Sequence, residues 1–227
     1  REVTLNSGWR PSMGPGGIVH NGNLTSAAAI RTQLEQGGSI FQTTSDTEVI
    51  LHLMARNPRA DVVESLMVAL AEVEGAYSLL LVTDSCLIAA RDPHGFRPLA
   101  IAELNDFFCF ASESCAFDLL GAKKLRELAP GEVAVSRGGR LESFHLAQKA
   151  EPSRCLFEHV YFARPDSVVF GDSVADVRRR LGAQLAREAP AAADIVVPVP
   201  DSGLYAAVGY SRESGLPFEL GMTRNHY

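Results

Sequence analysis

Between Ala60 and His145 the apolar residues change their spacing, and that change limits the chain to folds that stack helices on antiparallel strands. From about Ala60 to Glu74 they recur at helical spacing, with Val63, Leu66, Met67, Leu70 and Val73 on one face. From Tyr77 onward they form short runs of strand length. Tyr77-Val82 and Cys86-Arg91 flank Thr83-Asp84-Ser85, which reads as a hairpin, and Phe107-Ala111, Glu132-Ser136 and Leu141-His145 continue the series. The turn Arg137-Gly138-Gly139-Arg140 joins the last two. Two further helices precede these elements. Thr25 is placed to cap a helix that reaches about Gln36 and stops at Gly37-Gly38. Ser45 and Glu48 have capping-box spacing and open a helix through Leu53 and Met54. Helices followed by antiparallel strands predict an α+β layered domain.

Near Ala150-Glu151-Pro152-Ser153 the pattern changes again. A helix carrying Val174, Val177, Leu181 and Leu185 on one face precedes the fully apolar run Ile195-Val199, which reads as a central strand. A Pro-Asp-Ser-Gly turn and a helix over Leu204-Ser214 follow. This order predicts the start of an α/β domain, with a boundary that divides the chain into 1–152 and 153–227.

A net charge of -6, with no basic stripe, argues against a nucleic-acid partner. No apolar run approaches the ~18 residues of a membrane span. The opening Arg1-Glu2-Val3-Thr4 does not resemble a signal peptide, so the cytoplasm is the expected compartment. Cys86, Cys109, Cys115 and Cys155 have no Cys-x-x-Cys spacing and read as free thiols.

Three short segments carry polar groups of chemical interest. Asn21-Gly22, within His20-Asn21-Gly22-Asn23-Leu24, reads either as a turn or as an anion cradle in which an Asn amide and a Gly N–H face a developing oxyanion. Thr43-Thr44-Ser45-Asp46 reads as a helix start whose Asp46 carboxylate can also receive an ammonium group. Arg91-Asp92-Pro93-His94-Gly95-Phe96-Arg97-Pro98 reads as a rigid structural turn, with Asp92 bonding its backbone and His94 exposed. His20 is either an orienting group or a satisfied structural histidine.

Taken in order, the motifs His20-Asn-Gly-Asn-Leu24, Thr43-Thr-Ser-Asp-Thr-Glu48 and Arg91-Asp-Pro-His-Gly-Phe-Arg-Pro-Leu99 resemble the glutaminase domain of the amidophosphoribosyltransferases. The run Cys155-Leu-Phe-Glu-His-Val-Tyr-Phe-Ala-Arg-Pro-Asp-Ser167 is similar to the start of that family's phosphoribosyltransferase domain. Pro198-Val-Pro-Asp-Ser-Gly203 and Thr223-Arg-Asn-His-Tyr227 extend the likeness. The resemblance implies a glutaminase layer of the N-terminal-nucleophile-hydrolase type, followed by the beginning of an α/β phosphoribosyltransferase domain. It implies glutamine and phosphoribosyl diphosphate as substrates, 5-phosphoribosylamine as product in the first step of purine synthesis, and a homo-oligomer in the complete enzyme. It assigns the oxyanion hole to Asn21 and Gly22, the glutamine α-amino contact to Asp46, and the diphosphate loop to Asp201, Ser202 and Gly203. Mg²⁺ is assigned to Ser202. In members with a [4Fe–4S] cluster, one ligand is assigned to Cys155. Read without the family, a single Cys is a small buried hydrophobe as readily as a ligand.

The chain also departs from the family. Residue 1 is Arg, the first cysteine is Cys86 inside a strand pattern, and Arg1-Pro15 does not resemble the family's lead-in. The N-terminal Cys nucleophile and the main donor-binding loop are therefore expected to be absent, leaving two partial domains inactive by themselves. A glutaminase of the glutamine–fructose-phosphate aminotransferase type, or a non-catalytic remnant that only binds partners, remain the alternatives.

Overall fold

The computed structural model describes residues 2–5 and 16–225. The expectations that rest on Arg1 and on the closing His226-Tyr227 lie outside them. The chain divides into two compact units, Arg1–Ser112 with Ala116–Cys155, and Glu113–Cys115 with Leu156–Tyr227. No helix among the described residues is long and apolar enough to cross a membrane.

The first unit is built on a six-stranded antiparallel sheet in the order β1-β2-β3-β4-β8-β9. Its strands are β1 (Glu2–Leu5), β2 (Gly16–Leu24), β3 (Gly75–Thr83), β4 (Leu87–Arg91), β8 (Glu132–Arg137) and β9 (Arg140–His145). Side chains of a strand alternate between faces, and here the two faces differ in size. Leu79, Leu81, Ile88, Val133 and Val135 turn toward α1 (Ala27–Gln36), α2 (Glu48–Arg56) and α3 (Val62–Leu70), where they pack with Leu34, Ile50, Met54, Leu66 and Leu70. The intervening Ala89 and Ala134 face a second sheet, in the order β6-β5-β7, and meet Leu99, Ile101 and Leu128. That sheet comprises β5 (Ala100–Leu104), β6 (Phe107–Ala111) and β7 (Lys123–Glu127). Phe117 of α4 (Cys115–Leu120) covers its far side over Ala100 and Ala102. Small residues on the inner face let the second sheet come close, so the strands are buried on both sides. This is the α+β layered architecture expected of the first domain.

Several local expectations are corrected. Thr25 does not cap α1. Its N–H continues the sheet to the Glu74 carbonyl, and Ser26 bonds both polar backbone groups of Glu74 instead. Ser45 and Glu48 form no capping box. The buried Glu48 carboxylate reaches back to the N–H groups of Gln42 and Thr43 and to the Thr43 hydroxyl, and α2 begins at Glu48 itself. The pattern also hid β5, α4 and β7. Ala-Ile-Ala-Glu-Leu has the composition of a helix, and Lys-Lys-Leu-Arg-Glu is a charged edge strand. The Arg91–Pro98 turn is structural, as expected. Asp92, fully buried, accepts from the N–H groups of Tyr77, His94 and Phe96. Arg91 donates to the carbonyls of Gly95, Arg97 and Leu128. His94 is half-buried rather than exposed, its Nδ1 lying 3.1 Å from the Glu151 carbonyl.

The second unit contains a π-helical turn (Glu158–Phe162), a two-residue ribbon of β10 (Val168–Val169) and β11 (Asp172–Ser173), and helices α5 (Val174–Glu188) and α6 (Leu204–Ser214). Ser173 caps α5 by accepting from the Asp176 N–H. The apolar face expected of α5 is buried only at Val174: Leu181 and Leu185 are 43% and 53% exposed, while Arg178, Gly182 and Ala186 are buried. Glycine decides this. A Cβ on Gly182 would run into the Ala206 carbonyl, and one on Gly209 into the Arg179 carbonyl, so α5 and α6 meet backbone to backbone. The strand expected at Ile195-Val199 is reduced to one parallel bridge, Val196 to Phe218. An apolar parallel strand needs neighbours on both sides. Among the described residues no further ladder partner reaches it.

Candidate functional site

The first candidate site lies where β2 runs past the start of α2. Asn21 and Gly22 do not form a turn, as their Asn-Gly sequence suggested. They stand inside β2, opposite Ser78 and Tyr77 of β3. The ladder shows where the backbone of Gly22 points. The Thr25 N–H bonds the Glu74 carbonyl across this pair of strands, and the N–H and carbonyl of Tyr77 are both engaged by Asp92 on the β4 side. Bonded and non-bonded pairs alternate in an antiparallel ladder. Gly22 and Tyr77 are therefore a non-bonded pair, and the Gly22 N–H faces away from β3. Leu24, two residues on, faces the same way, and its N–H donates to Asp46 Oδ2 at 2.8 Å. A Cβ on Gly22 would collide with the Ala76 carbonyl, so only glycine fits there.

Asp46 is held from several sides. Thr47 Oγ1 donates to Oδ1 at 3.2 Å, and His20 Nδ1 lies 3.4 Å from the same oxygen. His20 Nε2 faces the Ala76 carbonyl at 3.3 Å. A carbonyl can only accept, so Nε2 carries a proton, and Nδ1 interacts with the Thr47 hydroxyl at 3.0 Å. Burial by itself would raise the Asp46 carboxyl. The hydrogen bond from His20, the Leu24 N–H, the His20 charge and the Thr47 hydroxyl outweigh it and hold the group down to about 2. The result is an anchored, ionised carboxylate whose side chain is still 28% exposed, with lone-pair capacity for one more donor. His20 acts here as an orienting group. The Asn21 side chain leaves β2 on the opposite face, where its Nδ2 donates to Ser112 Oγ at 3.1 Å.

Glu48 shapes this loop. Burial would raise its carboxyl, but the Gln42 and Thr43 donors lower it, so a fully buried anion organises the segment that presents Asp46. Thr47, Glu48 and Ser112 were not read as site residues. Thr47 and Glu48 could have been suspected from a buried polar run at a helix start, whereas Ser112 carries no local signal.

The second unit holds a cleft of about 800 Å³ lined by Ala163, Arg164, Arg178, Asp201, Ser202 and Arg224 among others. The structure gathers Asp201 and Ser202 there. The Asp201 carboxylate is 3.3 Å from the Arg224 guanidinium, and the Ser202 hydroxyl has no hydrogen-bond partner among the described residues. Ser202 is not the cap of α6, because no side chain caps that helix. Gly203 is crowded by its own chain. A Cβ there would lie 2.7 Å from the Val199 carbonyl oxygen, which accepts the Gly203 N–H at 3.1 Å.

Cys155 is half-buried in the first unit, with Arg97 Nη1 3.7 Å from its sulfur. No group of three or more His, Cys, Asp or Glu side chains able to hold a metal occurs among the described residues. Cys86, Cys109, Cys115 and Cys155 are free thiols.

The glutamine amidotransferase domain family matches residues 4–118. The chain is 49% identical over 215 residues to the amidophosphoribosyltransferase of Rhizobium etli, covering 92% of this chain and 43% of that protein. It is 43% identical over 210 residues to the amidophosphoribosyltransferase of Bacillus subtilis, covering 92% of this chain and 44% of that one. The solved glutamine phosphoribosylpyrophosphate amidotransferase of B. subtilis, complexed with ADP and GMP, superposes with a TM-score of 0.92 at 40% identity, covering 100% of this chain and 49% of its own. The chain therefore spans about half the length of the relatives it matches.

Proposed function

The chain belongs to the glutamine amidotransferase family, and on that premise we propose that it is part of an enzyme that releases ammonia from glutamine and transfers it to C1 of phosphoribosyl diphosphate. The products are 5-phosphoribosylamine, glutamate and diphosphate. One observation carries the reading: β2 bears the Asn21 amide and the outward Gly22 N–H just before Leu24, whose N–H holds an ionised Asp46 that keeps room for one more donor.

In this reading Asp46 takes the α-ammonium of glutamine and fixes the distance to its side-chain amide. A thiolate supplied by the complete enzyme adds to the amide carbon, and the carbonyl electrons move to oxygen. Asn21 Nδ2–H and Gly22 N–H receive that negative charge, an effect each worth roughly 3–4 kcal/mol in rate. Collapse expels ammonia and leaves a thioester, which water hydrolyses to glutamate. In the second unit ammonia displaces diphosphate from the sugar. Ser202 is a hydroxyl oxygen donor in a cleft, beside an Asp201 paired with Arg224, so it suits Mg²⁺, which would neutralise charge on the leaving diphosphate when bound there. Cys155 supplies one thiolate where a cluster needs about four ligands, and no group of three or more metal-binding side chains gathers among the described residues, so these residues do not by themselves complete a cluster site.

Purified full-length enzyme should convert glutamine and phosphoribosyl diphosphate to glutamate and diphosphate in equal amounts, with Mg²⁺ required for the second half only. Glutamate release with no donor consumption at any Mg²⁺ concentration would leave a glutaminase alone. Iron in anaerobic preparations decides the role of Cys155: iron-free but active enzyme would leave it a packing residue. About four iron per chain, lost on Cys155→Ser, would instead make that thiol a ligand.

A further inference from the structure

Asn21 must present an N–H, and not its amide oxygen, to a developing oxyanion. The torsion that decides this is a broad, soft one in asparagine. In the structure Ser112 Oγ, at 3.1 Å from Nδ2, is the one hydrogen-bond partner of the Asn21 side chain among the described residues. Its location follows from strand alternation. Ile18 and Leu24 of β2 enter the helix-side core, so Asn21, an odd number of residues from each, points to the other face. On that face Ser112 follows β6 directly, after Ala111, which pairs with Ala100.

We propose that Ser112 is a positioning residue for glutamine hydrolysis. It takes one of the two Nδ2–H bonds of Asn21 and thereby aims the other at the oxyanion. This inference rests on the oxyanion reading of Asn21. It gives Ser112 no contact with substrate, so its loss acts on the transition state through Asn21 alone.

The test is steady-state glutamine hydrolysis by the full-length enzyme, with melting temperatures measured alongside. Ser112→Ala should lower kcat about five- to ten-fold, the scale of one hydrogen bond, with KM within about two-fold. Ser112→Thr, which keeps the hydroxyl, should recover most of that loss. In an Asn21→Ala background Ser112→Ala should have no further effect, because the group it aims is gone. Equal additional losses in both backgrounds, or a fall in kcat that merely tracks melting temperature, would overturn the proposal. A large kcat loss for Asn21→Ala with none for Ser112→Ala sinks this inference alone. No kcat loss for Asn21→Ala sinks the oxyanion reading, and Ser112 with it.

Discussion

Both oxygens of the Asp46 carboxylate are already engaged by the protein, by the Leu24 N–H on one side and by Thr47 and His20 on the other. In the Asp201-Ser202-Gly203 turn the Ser202 hydroxyl is engaged by none of the described residues, and Ile195-Val199 before it has one bridge instead of a ladder. The contrast is between a carboxylate held on both oxygens and a turn in which Asp201 pairs with Arg224 while the Ser202 hydroxyl has no partner among the described residues. A transition-state oxyanion gains most from donors that need no rearrangement. In the proposed reading a diphosphate and its metal bring strong charges of their own and order the groups they meet.

If that contrast is correct, the first site should respond in rate and binding, and the second should barely register in stability. The largest effect expected is for Asn21→Ala in the full-length enzyme, a fall of about 100- to 1000-fold in kcat with little change in KM. Comparable changes in both constants would mean that Asn21 binds ground and transition states alike.

Next comes Asp46→Asn, which should raise KM for glutamine about ten- to a hundred-fold, because a charge-assisted bond to the ammonium is lost in ground and transition states together. The same variant tests stability against pH. The Asp46 carboxyl lies at about 2 in the folded protein against an ordinary 3.8, so its contribution is present above 3.8 and is lost as pH falls through about 2. That contribution is roughly 2 kcal/mol. Acid unfolding of Asp46→Asn should therefore be flatter between those pH values. An unchanged acid limb would show that His20 and Leu24 do not stabilise the anion.

Two glycines sharpen the comparison. Gly22→Ala should cost about 2–4 kcal/mol, because the new methyl meets the Ala76 carbonyl across the β2–β3 ladder. Gly203→Ala, crowding Val199 in a freer turn, should cost about 1 kcal/mol. Chemical denaturation separates them, and a reversed order would show the second turn to be the more rigid. Smallest is Ser202→Ala, expected within about 0.5 kcal/mol of the parent because no hydrogen bond is lost. Its consequence should appear in ammonia-dependent synthesis titrated with Mg²⁺ and donor. A stability loss near 1 kcal/mol with an unchanged titration would return Ser202 to a packing role.

The sequence alone determined what local spacing and composition can report. Short apolar runs of strand length marked β3, β4 and β8, helical spacing marked α3, and Asp92 in a Pro- and Gly-rich turn marked a backbone anchor. The motif order pointed to the family that the comparisons then showed. Only the tertiary structure decided the outcomes set by distant partners. Asn-Gly, a turn by local preference, is extended because β3 lies beside it. Leu181 and Leu185 are exposed because Gly182 and Gly209 bring the α5 and α6 backbones together on another face. Glu48 turned from a helix cap to a loop organiser because Gln42 and Thr43 offered it three donors. Ser112 meets Asn21 across 91 residues of chain. Periodicity shows that a residue faces inward or outward, but the group it meets there depends on sheet order and on how closely layers approach, and neither is encoded in any short window of sequence.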